Sequence, residues 1–178
     1  MKATIALAGL LLASAPASAQ HAAPYAGMQT RSVKGLTDQQ IADLQAGRGM
    51  GLALPAELNG YPGPSHVIEL AEQLGLSPDQ LASARRLFEA MKADAVPLGQ
   101  KLMQQEAELD GLFATKVVTP VSLGHATGRI GQTQAELREA HLKYHLAMLE
   151  VLRPDQVGRY GELRGYRGGS SSSGHPRH

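Results

Sequence analysis

The chain has 178 residues, no cysteine, no tryptophan and only 4% aromatic residues, a length that suggests a single domain. The missing thiols exclude a disulfide framework, a lipid-modified cysteine anchor and any thiolate metal site. Lys and Arg total 17 against 16 Asp and Glu with no basic block, so no nucleic-acid partner is expected, and a core so poor in aromatics must come from Leu, Ala, Val and Met, which suits helices packed on helices.

Residues 1–19 read as a secretory signal peptide. Lys2 gives a positive start, residues 5–13 are apolar, and Ala17-Ser18-Ala19 fits the small-residue cleavage pattern, leaving Gln20 as the first mature residue. The apolar run is about half of the roughly 20 residues that a membrane span needs. Cleavage removes Lys2 and balances the charges of the mature chain. The expected location is the periplasm.

Residues 20–64 form an N-terminal arm. Up to Lys34 there is no periodicity, and a mobile stretch is expected. Leu36-Thr37-Asp38-Gln39-Gln40 then reads as a helix start, with Thr37 as cap and Gln40 reaching back in a capping box; Ile41 and Leu44 follow, and Gly47 stops the helix. From residue 47 to residue 64, eight Gly and Pro residues forbid a long regular element. Met50, Leu52, Leu54, Leu58 and Tyr61 make this segment too apolar for a simple linker. It is expected to pack across the helical body, with a helical turn near residues 55–58.

Residues 65–166 carry the helical domain. Ser65 opens a short helix to about Leu74, ended by Gly75. In Leu76-Ser77-Pro78-Asp79-Gln80, Ser77 caps, Pro78 takes the first helical position and Gln80 completes a capping box. Leu81, Ala84, Phe88, Met91, Ala95, Leu98, Leu102, Leu109 and Leu112 follow in steps of three and four, interrupted at Gln105, as in a coiled-coil seam. Pro97 lies inside this helix and predicts a bend rather than a stop.

Residues 117–120 make the turn, with Thr119 capping and Pro120 starting the second long helix. Leu123, Ile130, Leu137, Tyr144 and Val151 recur every seven residues, with Thr127, Gln134, His141 and Met148 between them. Two long helices joined by a short turn lie antiparallel. A last helix runs from Pro154 to about Arg164 and packs Val157, Tyr160 and Leu163. Residues 167–178 are low-complexity Gly, Ser, His, Pro and Arg, expected to be disordered.

The chemistry is concentrated near the end of the second long helix. His141 and His145 are four apart and share one helix face, and Met148 follows on that face. Two imidazoles at this spacing can share a divalent transition metal, and a thioether suits a softer ion such as copper or nickel. The bland alternative has His141 filling a polar gap in the seam, His145 on its solvent edge and Met148 in the core. His125 stands alone and reads as surface. His175 and His178 fall in the tail, where they can bind metal weakly. Enzyme readings fail on content: there is no nucleophile with a base at recognisable spacing, no phosphate loop after a strand and no H-E-x-x-H. Glu106, Glu108 and Asp110 read as a solvated face. No organic cofactor is expected.

The start Leu76-Ser77-Pro78-Asp79-Gln80 is echoed by Leu152-Arg153-Pro154-Asp155-Gln156, where Arg153 replaces a capping Ser. Set around a long hairpin behind a signal peptide, these two motifs and Leu36-Thr37-Asp38-Gln39-Gln40 resemble the L-T-x-x-Q motifs of the Spy/CpxP superfamily, small periplasmic all-helical proteins that include the metal-responsive ZraP and CnrX branches. The first two depart from the pattern at the Thr position. The resemblance covers about residues 65–166. It implies an all-α fold: a long bent antiparallel hairpin with short flanking helices, paired into a cradle-like homodimer. It also implies no catalysis. The expected function is a heavy-metal-responsive sensor or resistance protein of the envelope-stress type, binding zinc, nickel or copper. The alternatives are an ATP-independent chaperone for unfolded periplasmic clients and a regulatory module for a membrane-bound sensor. By the CnrX-like pattern His66 and Met148 match ligand positions, whereas Leu70 and Tyr144 stand where further histidines would be. His141 and His145 are the substitutes at neighbouring positions, and Glu69 or Glu89 would supply an oxygen.

Overall fold

A computed structural model describes residues 24–166, all of whose regular structure is helical. The expected signal peptide and tail lie outside the described residues. After a short 3-10 turn at Met28–Thr30 come α1 (Asp38–Gln45), α2 (Leu54–Glu57), α3 (Pro64–Glu69), α4 (Pro78–Ala114), α5 (Pro120–Leu149) and α6 (Pro154–Leu163).

The helix starts follow from local chemistry. Thr37 and Gln40, Ser77 and Gln80, and Thr119 and Ser122 form reciprocal capping boxes, each satisfying amide groups that a helix start otherwise leaves unpaired. Proline stands in the first turn of every helix from α2 to α6, where its missing N–H costs nothing. At α6 only half of the box exists: Gln156 Oε1 accepts from Arg153 N at 2.9 Å. The Arg153 side chain caps nothing, because a guanidinium has no acceptor. It pairs with Asp155 instead.

One expected element is shorter than its periodicity implies. α3 begins at Pro64 rather than Ser65 and ends at Glu69, and the chain then passes through turns to Gly75 (φ +58°). Those turns keep Leu70, Leu74 and Leu76 on one apolar cluster, so burial is served without a continuous helix.

α4 and α5 form the long antiparallel pair, α1 and α3 lie on α4, and α2 and α3 also touch α5. Asp94 pairs with Lys143 at 2.8 Å, Lys101 with Glu136 at 3.2 Å and Glu108 with Arg129 at 2.7 Å. Each step is seven residues on both helices, so the ladder marks one constant register along the hairpin. Exposed pairs of this kind are worth about 0–1 kcal/mol apiece; they select alignment more than they stabilise it. Helix α4 passes through Pro97 unbroken, with Pro97 on the exposed side.

The seam of α4 is as expected at Ala84, Met91, Ala95 and Leu102, and Gln105 is buried within it. The seam of α5 differs in its intermediate positions. Ile130 and Leu137 are buried, but the residues between are Ala126, Thr133 and Ala140, while Thr127 and Gln134 face water. Small side chains win these positions because they let the two helices approach. The same economy holds under α1: a Cβ on Gly99 would stand 2.6 Å from the Leu44 carbonyl oxygen, so α1 lies directly on the α4 backbone there.

The acidic run of α4 is partly paired rather than simply solvated. Glu108 holds Arg129, and Asp110 takes Lys34 at 2.7 Å. With Val33 packed on the core, that contact fastens the end of the stretch expected to be mobile.

The two echoed motifs close the open end of the hairpin as a clasp. The Gln80 amide nitrogen donates to the Val151 carbonyl and to Gln156 Oε1, both at 2.8 Å. The Gln156 amide nitrogen donates to the Leu74 and Gly75 carbonyls at 3.2 and 3.3 Å. Each motif glutamine thus caps its own helix and holds the chain entering the other motif. Gln156→Ala removes the buried donor while its acceptors remain, so a loss of about 1–3 kcal/mol is expected, measured as a shift in the urea midpoint. A variant as stable as the parent would show that the clasp holds nothing.

Candidate functional site

The core is divided. One apolar cluster contains Leu36, Leu44, Ala95, Leu102, Ile130 and Leu137, and the other Val67, Leu74, Ala84, Met148, Leu152 and Tyr160. Along α5, His141 and His145 occupy the gap between Leu137 and Met148. Along α4, Phe88, Met91 and Lys92 occupy the gap between Ala84 and Ala95. Between the clusters lies a cavity of about 630 Å³, lined by these residues together with the Gly/Pro segment, His66 and the end of α6.

The structure therefore brings three of the four expected ligands to one place. His66, His141 and His145 all line the cavity. Met148 does not: it is fully buried in the second cluster. Tyr144 turns to the hairpin edge, where its hydroxyl donates to Asp94 at 2.6 Å. Glu69 and Glu89 are exposed and absent from the lining. The bland reading holds for Met148 and fails for His145, which is 5% exposed rather than at a solvent edge.

The carboxylate at the cavity is Glu57, a residue that periodicity does not mark. Its segment crosses the body as expected, with α2 as the helical turn, and Glu57 points inward at 7% exposure. Tyr160 donates its hydroxyl to both Glu57 oxygens at 2.9 and 2.7 Å, and His66 Nδ1 lies 2.7 Å from Oε1. Burial alone would push this carboxyl up, but the hydrogen bonds from His66 and Tyr160, with the nearby charge of His66 and His145, hold it below the ordinary value of 4.5. Burial, with the Glu57 charge, pushes the Tyr160 phenol up, so it remains a donor. The only sequence signal for Glu57 was an acid within an apolar, Gly/Pro-rich stretch.

Two imidazoles have their proton positions dictated. The Tyr61 carbonyl, 2.8 Å from His145 Nδ1, can only accept. The Glu57 carboxylate can only accept from His66 Nδ1. When neutral, both rings keep the lone pair on Nε2, the arrangement that a second shell imposes on metal-binding histidines. At His66 that lone pair faces Arg164, whose Nη2 is 3.4 Å away. His141 differs: its Nε2 is buried with no hydrogen-bond partner. Burial first, then the nearby His145, pushes its pKa below 6.5, so the ring stays neutral.

Gly63 lets the backbone pass between these groups. A Cβ there would stand 2.8 Å from His145 Cε1 and 3.0 Å from Glu57 Oε1. As they stand, no three His, Asp or Glu side chains among the described residues form a group able to hold a metal ion. The cavity offers oriented donors rather than a closed cage.

Compared with known proteins, residues 49–159 match a family model described as heavy-metal resistance. That span runs from the glycine against His141 to the residue before Tyr160, and so contains Glu57, His66, His141 and His145 but not Arg164 or Tyr166 of the cavity lining. No curated protein and no solved structure matches the chain.

Two expectations follow from the site. Because the folded pKa of Glu57 lies below its unfolded value, its contribution to stability is present above about pH 4.5 and fades as pH falls through the folded value. The gap in urea midpoint between parent and Glu57→Gln should be largest at neutral pH and shrink in acid; a gap constant down to pH 3 would contradict the assignment. His141→Leu replaces an unpartnered buried polar atom, and thermal unfolding should show a gain of about 1 kcal/mol. A destabilised variant would mean that His141 is held by a bond the geometry does not contain.

Proposed function

Since the chain belongs to the heavy-metal resistance family, within the Spy/CpxP-like superfamily, we propose that it is a secreted, periplasmic protein that binds a divalent transition metal in the cavity between its two cores. His145 and His66 are the primary ligands and His141 stands beside them. The carrying observation is the pair of imposed tautomers: the Tyr61 carbonyl and the Glu57 carboxylate each take an Nδ1 proton and leave an Nε2 lone pair for an ion. The orphaned Nε2 of His141 fits the same use.

The arrangement supports sensing as well as sequestration. An ion and the Arg164 guanidinium cannot share the His66 lone pair, so an ion taken there displaces Arg164, which sits at the end of α6. The three rings come from α3 and α5, and Glu57 of α2 ties His66 to Tyr160 of α6. Loading the site therefore acts on the packing of the arm and the last helix against the hairpin, and on the homodimer that the family resemblance implies.

Isothermal titration of the secreted chain with zinc, nickel and copper tests this. The His141→Ala/His145→Ala pair should weaken binding of at least one ion by about 100-fold or more, the upper range for disturbing a metal's ligand shell. Unchanged binding ends the metal reading. Protection of an aggregating client in the presence of chelator would then favour client shielding, for which the exposed Phe113, Val117 and Val121 at the hairpin turn would be the contact surface.

A further inference from the structure

The soft donor that spacing attaches to this site, Met148, is sealed in the second apolar cluster. Two other thioethers stand at the cavity instead. Met91 of α4 and Met50 of the arm both line it with His141 and His145. Met91 comes three residues before Asp94 on α4, and His145 two residues past Lys143 on α5. The Asp94–Lys143 pair at 2.8 Å therefore sets Met91 and His145 at nearly one level of the antiparallel hairpin, where both are buried.

Met50 reaches the cavity from a tight turn, closed by the Leu52 amide donating to the Gly49 carbonyl at 2.7 Å. Its φ is +45° and that of Gly51 is +81°, a left-handed path that disfavours any residue with a Cβ. Glycine stands on both sides of it, yet this corner carries a long thioether. Packing does not explain the choice, because Met50 belongs to neither apolar cluster and is 40% exposed. Backbone strain of this kind gathers where a side chain serves a site. The turn begins against a ligand candidate: a Cβ on Gly49 would stand 3.5 Å from His141 Nδ1.

Thioethers are the only soft donors in a chain without cysteine, and soft sulfur ligands select copper(I) and ions like it. No three His, Asp or Glu side chains among the described residues form a metal group. Met91 and Met50 supply the donors that His145 and His141 lack. Charge points the same way. Glu57 is the one acid among the described lining residues, against Lys92, Arg164 and an Arg48 already paired with Asp43. These cations repel an entering ion in proportion to its charge, so a monovalent ion is the easier one to admit.

Resting on the metal reading above and extending it beyond divalent ions, we propose that the cavity takes a soft monovalent ion of the copper(I) class, with Met91, Met50, His145 and His141 as its donors. Met50, at the exposed edge, is the donor such an ion meets first.

Silver(I), which needs no reductant, is the probe. In the secreted chain carrying isotope-labelled methionine methyl groups, silver(I) should shift the NMR signals of Met50 and Met91 and leave those of Met103 and Met148 in place. Met50→Leu/Met91→Leu keeps side-chain volume and removes both sulfurs. It should bind silver(I) about 100-fold more weakly, the upper range for a disturbed ligand shell, and zinc(II) as the parent does. Equal silver(I) affinity in parent and variant, or unmoved Met50 and Met91 signals, would overturn the thioether site. If zinc(II) is still lost in His141→Ala/His145→Ala, the metal reading stands without it. An equal loss of both ions in the methionine variant would mean a reshaped cavity and would also overturn thioether ligation. Silver(I) binding that needs the methionines, beside zinc(II) binding indifferent to the histidines, would support the soft site and end the divalent reading.

Discussion

A carboxylate taken out of water must be given partners, and the demands of Glu57 tie this structure together. An isolated buried charge costs several kcal/mol even after relaxation. Glu57 meets that cost with the Tyr160 hydroxyl from α6 and the His66 ring from α3, while Gly63 passes within reach of a methyl group. One side chain from a four-residue helix thereby fixes the arm, α3 and α6 relative to one another. The same bonds set which nitrogen of His66 is free. Structural demand and ligand presentation are one set of contacts.

The hairpin determines where that knot can sit. A core with so few aromatics must gain its contacts by bringing helices close, which small residues such as Ala84, Ala95, Ala126 and Ala140 allow. Where both helices instead carry larger or polar seam residues, Met91 on one side and His141 and His145 on the other, the packing opens into a cavity. The seven-residue ladder of ion pairs keeps the two interruptions level. The cavity is thus an interval in an otherwise regular seam, bridged by the arm.

Much of the fold was legible because its signals are local. Capping boxes at Thr37, Ser77 and Thr119 and prolines in the first turns mark the helix starts within a residue or so, and the apolar steps of α4 mark its buried side. The seam of α5 was less legible: its seven-residue period identifies Ile130 and Leu137, but Thr127 and Gln134 compete with Ala126 and Thr133, and only the closeness of α4 decides for the smaller residues. The site was half legible. Spacing pairs His141 with His145, and the family pattern adds His66, yet nothing in a linear pattern distinguishes the buried Glu57 from the exposed Glu69 and Glu89. That distinction depends on how the arm crosses the body, whereas Met148 is separated from the rings it follows on α5 by its place in the second apolar cluster.

The arm itself carries a consequence for how such a protein can change over generations. Its corners at Gly47, Met50, Gly51 and Gly60 all take positive φ, so its path is a set of prescribed bends and not a slack connection. Surface loops usually absorb insertions and deletions freely. Here a single added or missing residue would shift Gly63 out of the gap between His145 and Glu57, where no side chain fits. Length along residues 47–63 should therefore drift as little as length inside a helix. The irregular part of this chain is expected to be its most inheritable measurement, and the regular surface of α5 its most negotiable one.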